Sequence, residues 1–224
     1  MKDSMDYSDT IKRAVIEVNG GCNYTCTMCP QSTPGRDKGF LKKMPLDFFQ
    51  EILDQIGYVE CIQLEGSGEP TLNRDLPEYI SKAKNHCDSV NIFTNGYALE
   101  NDFMHECVDA GLSMARFSVI GYNKETYKKM MNKDAFHFIK DNMIKMQGYI
   151  MKSKSSCIVA SYHLILDQEN LKYEIEQYKE NIIKPTRSQA SIWKQHNWSG
   201  IYDNPNKRKG LQKTCGRPFA PEIT

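Results

Sequence analysis

This sequence lacks the features of a secreted or membrane protein. It starts with the polar residues Met-Lys-Asp-Ser, without the apolar core of a signal peptide. No apolar run approaches the roughly 20 residues that a membrane span needs. The most apolar stretch, residues 157–166, is interrupted by Ser161, Tyr162 and His163. We therefore expect a soluble, cytoplasmic protein that does not act at a membrane.

An excess of charge of one sign is also missing. The chain carries 29 basic and 28 acidic residues, a net charge of +1. Such a balance does not predict the strongly basic surface of a nucleic-acid-binding protein. The chain has 224 residues, of which 40% are hydrophobic, and it contains no internal repeat. This is enough to bury the core of one domain.

Cysteine, in contrast, is plentiful, with eight residues in the chain. A disulfide framework is typical of small secreted proteins, so we do not expect one here. Free cysteine is among the most frequently buried residue types. On that ground four scattered cysteines are interpreted as small buried hydrophobic residues: Cys61, Cys87, Cys107 and Cys157.

Three further cysteines stand together in the run Cys22-Asn-Tyr-Thr-Cys26-Thr-Met-Cys29, with the spacing C-x3-C-x2-C. A structural zinc site uses four protein ligands, and no fourth cysteine lies nearby. Three thiolates can instead hold three irons of a cubane iron–sulfur cluster and leave the fourth iron open to other ligands. The loop therefore predicts a reactive metal centre and an enzyme.

Short apolar runs rich in β-branched residues alternate with amphipathic stretches of helical period. The predicted strands are 14–18, 61–65, 89–94, 114–119, 156–166 and 189–195. The predicted helices are 45–56, 75–85, 100–110, 124–130, 136–152 and 170–181. This alternation implies an α/β fold with a parallel sheet and right-handed crossovers. An open six-stranded (β/α) barrel and a doubly wound sheet both fit it, and both place functional residues at the carboxyl ends of strands.

Candidate functional residues do fall at those strand ends. The cysteine loop follows the first strand, Gly66-Ser67-Gly68-Glu69-Pro70 follows the second, Thr94-Asn95-Gly96 closes the third, and Ser118 lies in the fourth. Gly66 and Gly68 allow backbone to approach a ligand closely. Glu69 can accept hydrogen bonds from a cationic amino group, and Ser118 can bind ribose hydroxyls or a carboxylate. Taken alone, the glycine segment and the Thr94 segment are each explained equally well as ordinary turns.

In this order, the four segments resemble the radical S-adenosylmethionine (radical SAM) superfamily over residues 14–195. The cysteine loop is similar to its signature, with Met28 at a position usually apolar or aromatic. Residues 66–70 resemble its Gly-Gly-Glu-Pro segment, with Ser67 replacing the first of the paired glycines. Residues 116–121, followed by Glu125-Thr-Tyr, are similar to its strand-four serine segment.

The resemblance implies a partial (β/α)6 TIM-like barrel of the radical SAM type, in which Cys22, Cys26 and Cys29 bind a [4Fe-4S] cluster. S-adenosyl-L-methionine (SAM) would occupy the fourth iron. One electron, supplied by a flavodoxin or ferredoxin, would then cleave SAM to methionine and a 5′-deoxyadenosyl radical that abstracts hydrogen from a substrate. No catalytic residue is identified beyond the cofactors. The implied SAM-binding residues are Met28, Gly66, Ser67, Gly68, Glu69, Thr94, Asn95, Ser118 and Lys129.

Two positions depart from the superfamily pattern. Ile120 stands where aspartate is frequent, and Lys128-Lys129-Met130 stands where an arginine often meets the SAM carboxylate. A lysine can replace that arginine as a point charge, and Lys129 is the residue we assign to it. A solvated helix face is an equally ordinary explanation of both lysines.

The alternation of strands and helices stops near residue 197, so we divide the chain into a barrel domain, 1–197, and an extension, 198–224. Residues 215–219, Cys-Gly-Arg-Pro-Phe, resemble the opening of a SPASM domain, a cysteine-rich appendage that binds auxiliary clusters. This favours a peptide or protein side chain as substrate, with a sugar or cyclitol as the alternative. Four residues at or just past the end of the sixth strand are candidates for lining an adenine or substrate pocket, or for packing in the core or a lid: Trp193, His196, Asn197 and Trp198.

Two other classes of protein are compatible with the sequence. The three cysteines and a histidine could bind zinc in a structural or binding module. Alternatively, the fold and cluster could serve as a non-catalytic iron–sulfur scaffold. His163 in the fifth strand is interpreted as an interior histidine rather than a catalytic base.

Overall fold

A parallel sheet forms the centre of the structure, a computed structural model that describes residues 11–32, 42–194 and 222–223. The seven strands lie in the order β6-β5-β4-β3-β2-β1-β7. They are β1 (Arg13–Ile16), β2 (Val59–Leu64), β3 (Cys87–Thr94), β4 (Met114–Ser118), β5 (Ile158–Ile165), β6 (Gln189–Lys194) and β7 (Glu222–Ile223).

Strands β1 to β6 are neighbours in chain order, and every pair is parallel. A doubly wound sheet reverses its strand order at a switch point, and β1 to β6 show no reversal. The doubly wound alternative is therefore excluded, and the predicted α/β fold of the partial (β/α)6 barrel type is confirmed. Right-handed crossovers place the connecting helices on the outer face of such a sheet.

The helices match the predicted positions closely. They are α1 (Leu46–Ile56), α2 (Leu76–Lys84), α3 (Asn101–Asp109), α4 (Lys124–Met131), α5 (Phe136–Ser153), α6 (Leu171–Tyr178) and α7 (Lys184–Thr186). Helix α6 differs from the predicted 170–181, since the chain continues through a wide π-type turn, Lys179–Ile183, into α7. Pro185 in α7 has no N–H to donate, which interrupts the regular ladder of hydrogen bonds.

Burial alternates along the strands and separates two faces of the sheet. On β4, Ala115 and Phe117 are fully buried, whereas Met114, Arg116 and Ser118 are half-buried. The first pair belongs to the hydrophobic core between sheet and helices. The other three therefore point to the concave inner face of the partial barrel.

The cysteines outside the loop follow the same division into faces. Cys87, Cys107 and Cys157 are buried as predicted. Cys61 is only half-buried, contrary to the prediction, because it lies on the concave face, where Asn91 Nδ2 donates to its sulfur at 3.2 Å.

Strand β7 was not predicted, because a two-residue strand carries no hydrophobic period. It pairs in parallel with β1 through Arg13 and Ala14. The remainder of the extension lies outside the described residues, as do Cys215, His196, Asn197 and Trp198. In the described part of the chain, no helix combines the length and apolarity needed to cross a bilayer.

Candidate functional site

The three clustered cysteines lie on the loop that follows β1. None of them is in a disulfide; Cys22 is exposed, and Cys26 and Cys29 are partly buried. Cys29 N donates to Cys26 O at 3.0 Å, and Ser32 N donates to Cys29 O at 3.0 Å. These turns fold the loop back on itself and hold its thiols in one small region at the carboxyl edge of the sheet.

The cysteine loop is attached to the end of α4. Thr27 donates from both its backbone N (2.9 Å) and its Oγ1 (3.1 Å) to Met130 O. Carbonyl groups in the last turn of a helix have no partner within the helix, so the loop supplies a donor that α4 lacks. The hydroxyls of Tyr24 and Tyr127 also meet at 3.2 Å. Tyr24, Thr27 and Tyr127 lie within the quoted motifs, but sequence reasoning did not predict that they anchor the loop to α4.

Glu69 joins the loops that follow β1, β2 and β3. Its backbone N donates to Gly21 O at 2.7 Å, and its backbone O accepts from Asn19 Nδ2 at 2.9 Å. Its Oε1 accepts from Thr71 N (3.0 Å), Thr71 Oγ1 (2.6 Å) and Thr94 Oγ1 (2.6 Å). The Glu69 carboxylate is thus largely occupied by donors of the protein itself.

The remaining carboxylate oxygen, Glu69 Oε2, accepts from Asn95 N at 2.7 Å. Burial raises the pKa of the Glu69 carboxyl above its usual range, and hydrogen bonds from Asn95, Thr71 and Thr94 oppose that rise. The four donors belong to Thr71, Thr94 and Asn95, so the carboxylate joins the loop after β2 to the end of β3. The loop after β1 is joined by the backbone of Glu69 instead. The contact of Glu69 with an amino group stays a prediction, and the structure adds that its carboxylate also supports the neighbouring loops.

Asn95 connects the end of β3 to the cysteine loop. Its Nδ2 donates to Asn23 Oδ1 at 2.7 Å and lies 3.8 Å from Cys22 Sγ. Its Oδ1 accepts from Tyr97 N at 2.9 Å. Thr94-Asn95-Gly96 is therefore more than an ordinary turn, because it holds the first cysteine of the loop in place.

The two glycines after β2 are required by close packing within the protein. A Cβ at Gly68 would lie 1.9 Å from Asn19 O, part of the backbone that leads into the cysteine loop. A Cβ at Gly66 would lie 2.4 Å from the side chain of Glu17, which also accepts from Gly68 N at 2.9 Å. The two glycines thus allow the loop after β2 to pack against the loop after β1.

The thiols suit a cationic metal centre. Burial and the nearby Cys29 and Cys22 thiols raise the pKa of Cys26 to about 12, and burial likewise raises that of Cys22. Thiolates are the ligand form of cysteine, so three of them in this region need compensating positive charge. A cubane cluster fits this soft, three-sulfur donor set, since it places the ligands on three different irons.

A single-ion site has a different geometry. Within the described ranges, no three His, Cys, Asp or Glu side chains are arranged to hold one metal ion, whereas a zinc site requires its ligands to converge on that ion.

The other predicted SAM contacts are dispersed around the same edge. Ser118 ends β4 on the concave face, Ser67 is exposed, and Met28 is only 8% exposed and belongs to the core. Lys129 lies on the exposed side of α4. Its neighbour Lys128 forms a surface ion pair at 3.3 Å with Asp134. Both lysines thus have exposed side chains beside Met130, the residue of α4 that binds the cysteine loop.

His163 is an interior histidine, as expected. It is fully buried, its Nδ1 accepts from Gly121 N at 3.2 Å, and its Nε2 lies 2.8 Å from Glu174 Oε1. Glu174, 1% exposed, also accepts from the backbone N of Leu166 (2.8 Å) and Asp167 (2.9 Å). Sequence reasoning missed Glu174, because it stands among exposed acidic residues of an amphipathic helix.

Comparison with protein-family models identifies one family. The model described as "Radical SAM superfamily" matches residues 16–171. This range begins in β1 and includes the cysteine loop, the Glu69 loop, the Asn95 loop and α4.

Curated relatives match shorter parts of the chain. A protein of Saccharolobus solfataricus named "Probable GTP 3′,8-cyclase" is 31% identical over 122 residues, 54% of this chain and 39% of that relative. An uncharacterized protein of Methanocaldococcus jannaschii is 26% identical over 174 residues, 75% of this chain and 54% of that relative. The chain thus matches about two fifths to a half of the length of these relatives.

Solved structures share the fold. The protein anSMEcpe with bound AdoMet superposes with a TM-score of 0.64 at 14% identity, covering 93% of this chain and 56% of that one. Streptococcus suis SuiB bound to the precursor peptide SuiA gives a TM-score of 0.64 at 15% identity, covering 89% and 43%. At these identities the likeness concerns the fold alone.

Proposed function

Because the chain belongs to the radical SAM superfamily, we propose that it is a radical SAM enzyme acting on a peptide or protein side chain. The superfamily's cofactors are a [4Fe-4S] cluster and SAM. Once bound and reduced by a flavodoxin- or ferredoxin-type donor, they supply a 5′-deoxyadenosyl radical that removes hydrogen from an unreactive C–H bond. The observation that carries the proposal is the loop with three free thiols, bound to the loops after β2 and β3 through Glu69 and Asn95.

The chain's own contribution is to position and orient these groups. Cys22, Cys26 and Cys29 would hold the cluster, and the contacts of Thr27 with the end of α4 keep the loop in place. Glu69 would link the three loops proposed to surround SAM and, as predicted, would accept from the SAM amino group. A fixed arrangement of this kind orients the reacting groups and excludes water that would consume the radical.

Ser118 and the loop backbone at Gly66, Ser67 and Gly68 would contact SAM directly. Thr94, Asn95 and Met28 would support these contacts from the third strand and the cysteine loop. Lys129, exposed on α4 beside the residue that binds the cysteine loop, would meet the SAM carboxylate as a point charge.

Peptide modification is supported by the likeness of the fold to SuiB, which was crystallised with a precursor peptide. The resemblance of residues 215–219 to a SPASM opening points the same way. A second candidate, a nucleotide substrate, is favoured by the 31% identity to proteins named as probable GTP 3′,8-cyclases.

Anaerobic reconstitution with iron and sulfide tests the proposal. We expect a brown protein that, given SAM and dithionite, forms 5′-deoxyadenosine and methionine, detected by liquid chromatography and mass spectrometry. Bound zinc without iron-linked sulfide would support the structural zinc module instead. A fully loaded cluster that cleaves no SAM would support the non-catalytic scaffold, and either result would refute the enzyme.

A further inference from the structure

The concave face of β3 to β6 carries a group of residues that the cofactor assignment does not use. Register places Phe93 on β3 beside Arg116 on β4, and Ser118 beside Tyr162 on β5. Leu164 on β5 pairs with Trp193 on β6. Since residues of one strand that are two apart share a face, Arg116 and Ser118 point to the same side of β4.

Arg116 lacks strong acceptors within the described structure. Its guanidinium carbon lies 4.6 Å from the centre of the Phe93 ring, and its Nη2 contacts only a weak acceptor, Met114 Sδ, at 3.4 Å. Its Nε is buried, and no acceptor among the described residues meets it. Buried donors are almost always paired in folded proteins, so Arg116 retains donor capacity that the described residues do not use.

Arg74 is a surface arginine that also stacks on a phenylalanine, and it provides a comparison for Arg116. Its guanidinium lies 4.7 Å from the centre of the Phe103 ring. It also meets Glu100 Oε1 at 3.6 Å and Ala98 O at 3.5 Å, with about half of its side chain exposed. The stacking distances are nearly equal, so the difference between the two arginines is the lack of an oxygen partner at Arg116.

A continuous row of aromatic rings extends from Arg116 across the concave face. Phe93 and Tyr162 meet edge to face with ring centres 5.8 Å apart, and Tyr162 and Trp193 do so at 5.7 Å. Trp193 is 51% exposed at the far end of the row. Because neighbouring rings stand nearly perpendicular, at 77° and 75°, the row forms an apolar wall of ring faces and edges against which a ring can pack, with a polar group at one end.

Charges of the opposite sign lie on the other half of the sheet. Glu17 and Glu65 follow β1 and β2; Glu17 Oε1 accepts from Gly68 N, and Glu65 Oε1 accepts from Gln63 Nε2 at 2.8 Å. A carboxylate or phosphate bound close to Glu17 or Glu65 would be repelled, which favours the β4 side of the face for an anionic group.

We propose that Arg116, Phe93, Tyr162 and Trp193 form a substrate subsite that binds a carboxylate or phosphate joined to a flat or apolar ring. The guanidinium would bind the anion through two parallel N–H donors, and the aromatic row would bind the ring. This inference rests on the proposed function, because it places the anion about 7 Å along β4 from Ser118, which is assigned to SAM.

Equilibrium dialysis of the cluster-loaded chain, without reductant, tests the subsite independently of turnover. The probes are N-acetyl-phenylalanine, its uncharged amide, and GTP. We expect at least one anionic probe to bind in the millimolar range or tighter. Arg116→Gln should weaken its binding on the order of tenfold to a hundredfold, and Arg116→Lys should restore part of it.

Two controls separate recognition from a folding defect. Arg74→Gln removes the matched surface arginine and should leave binding of both anions unchanged. Binding of the uncharged amide should be weak and equal in wild type and Arg116→Gln. Preferential binding of N-acetyl-phenylalanine would identify a peptide carboxylate as the source of the anion, and preferential binding of GTP would identify a nucleotide phosphate.

The subsite would be refuted if neither anion binds at millimolar concentration, or if Arg116→Gln binds both as well as wild type does. It would also be refuted if Arg116→Gln weakens the binding of SAM, measured without any probe, by the same factor, because Arg116 would then belong to the SAM site. Failure of the enzyme proposal is recognised separately, as absence of 5′-deoxyadenosine from wild-type protein.

Discussion

The two halves of the sheet are stabilised at their carboxyl edge in the same way, yet they carry different chemistry. In the β1–β3 half, the buried Glu69 carboxylate accepts from Thr71, Thr94 and Asn95. In the β4–β6 half, the buried Glu174 carboxylate accepts from Leu166 N and Asp167 N and bonds His163. Each carboxylate fixes the end of one strand, β3 or β5, to a neighbouring segment.

The difference lies in what each carboxylate supports. Glu69 fixes the loops that bear Cys22 and the glycine turn, so the candidate functional groups of the β1–β3 half lie on loops. Glu174 and His163 fix Gly121 and the end of β5, behind a sheet whose concave face carries Arg116 and the aromatic row. Under our proposals the first half holds the cluster, SAM reaches into the second half at Ser118, and the aromatic row of the second half receives the substrate.

The largest expected effect comes from removing one cluster ligand. Cys26→Ala should abolish the brown colour and all 5′-deoxyadenosine formation, because two thiolates are too few to hold the cluster. Iron content and product analysis after reconstitution measure both effects. Cys61→Ser is the matched control, since it retains an acceptor for Asn91 on the concave face, and it should keep both. Full activity in Cys26→Ala would refute the assignment of the loop.

A direct comparison of the two halves exchanges each buried carboxylate for its amide. Each oxygen of both carboxylates accepts from a backbone N–H, so in Glu69→Gln and in Glu174→Gln the new amide N–H₂ must face a donor. We expect this to lower the free energy of unfolding by roughly 2–4 kcal/mol. Thermal unfolding should therefore shift downward by a similar amount, on the order of 5–15 °C. Only Glu69→Gln should also lose cluster retention at temperatures where both variants remain folded. Equal loss of the cluster in both would show that the halves are not separate in function.

The glycine turn allows a graded test within the β1–β3 half. Gly68→Ala places a Cβ against backbone, 1.9 Å from Asn19 O, so the stem of the cysteine loop must shift. We expect a loss of stability of about 1–3 kcal/mol and a clear decrease in iron bound per chain. Gly66→Ala meets the flexible side chain of Glu17 and should cost less. A reversed order of the two variants in iron content would contradict the packing derived for this loop.

What could be predicted from the sequence divides between local patterns and contacts between distant residues. The six strands follow from their hydrophobic period, and the cysteine loop follows from spacing alone. The supporting contacts are different, because they join positions far apart in the chain. Examples are Thr27 with Met130, and Glu69 with Asn95. No local pattern reports such pairs.

Sequence reasoning named Ser118 and Trp193 on the concave face but missed the role of Arg116 there, for a related reason. Arg116 stood in a quoted motif only as the neighbour of Ser118, and its unpaired Nε follows from which atoms surround it. Glu174 looked like a solvated acidic residue, because helical period shows which face a residue occupies but not whether the chain covers that face. Position in a strand or helix was predictable, and the partners of buried charges were not.

The smallest expected effect lies in the helical layer, away from both halves of the carboxyl edge. Gly148 lies in α5, it is exposed, and a Cβ there would meet nothing within 4 Å. Gly148→Ala should stabilise the chain by about 0.5–1 kcal/mol, since alanine loses less backbone entropy on entering a helix. Chemical denaturation measures this gain, and iron content should not change. Alanine would then raise stability at Gly148 and lower it at Gly68. Glycine is thus required by packing at the site, whereas in helix α5 it only lowers stability. A loss of stability in Gly148→Ala would show that α5 has a partner at this position, and the helical layer could no longer serve as the neutral reference for the site variants.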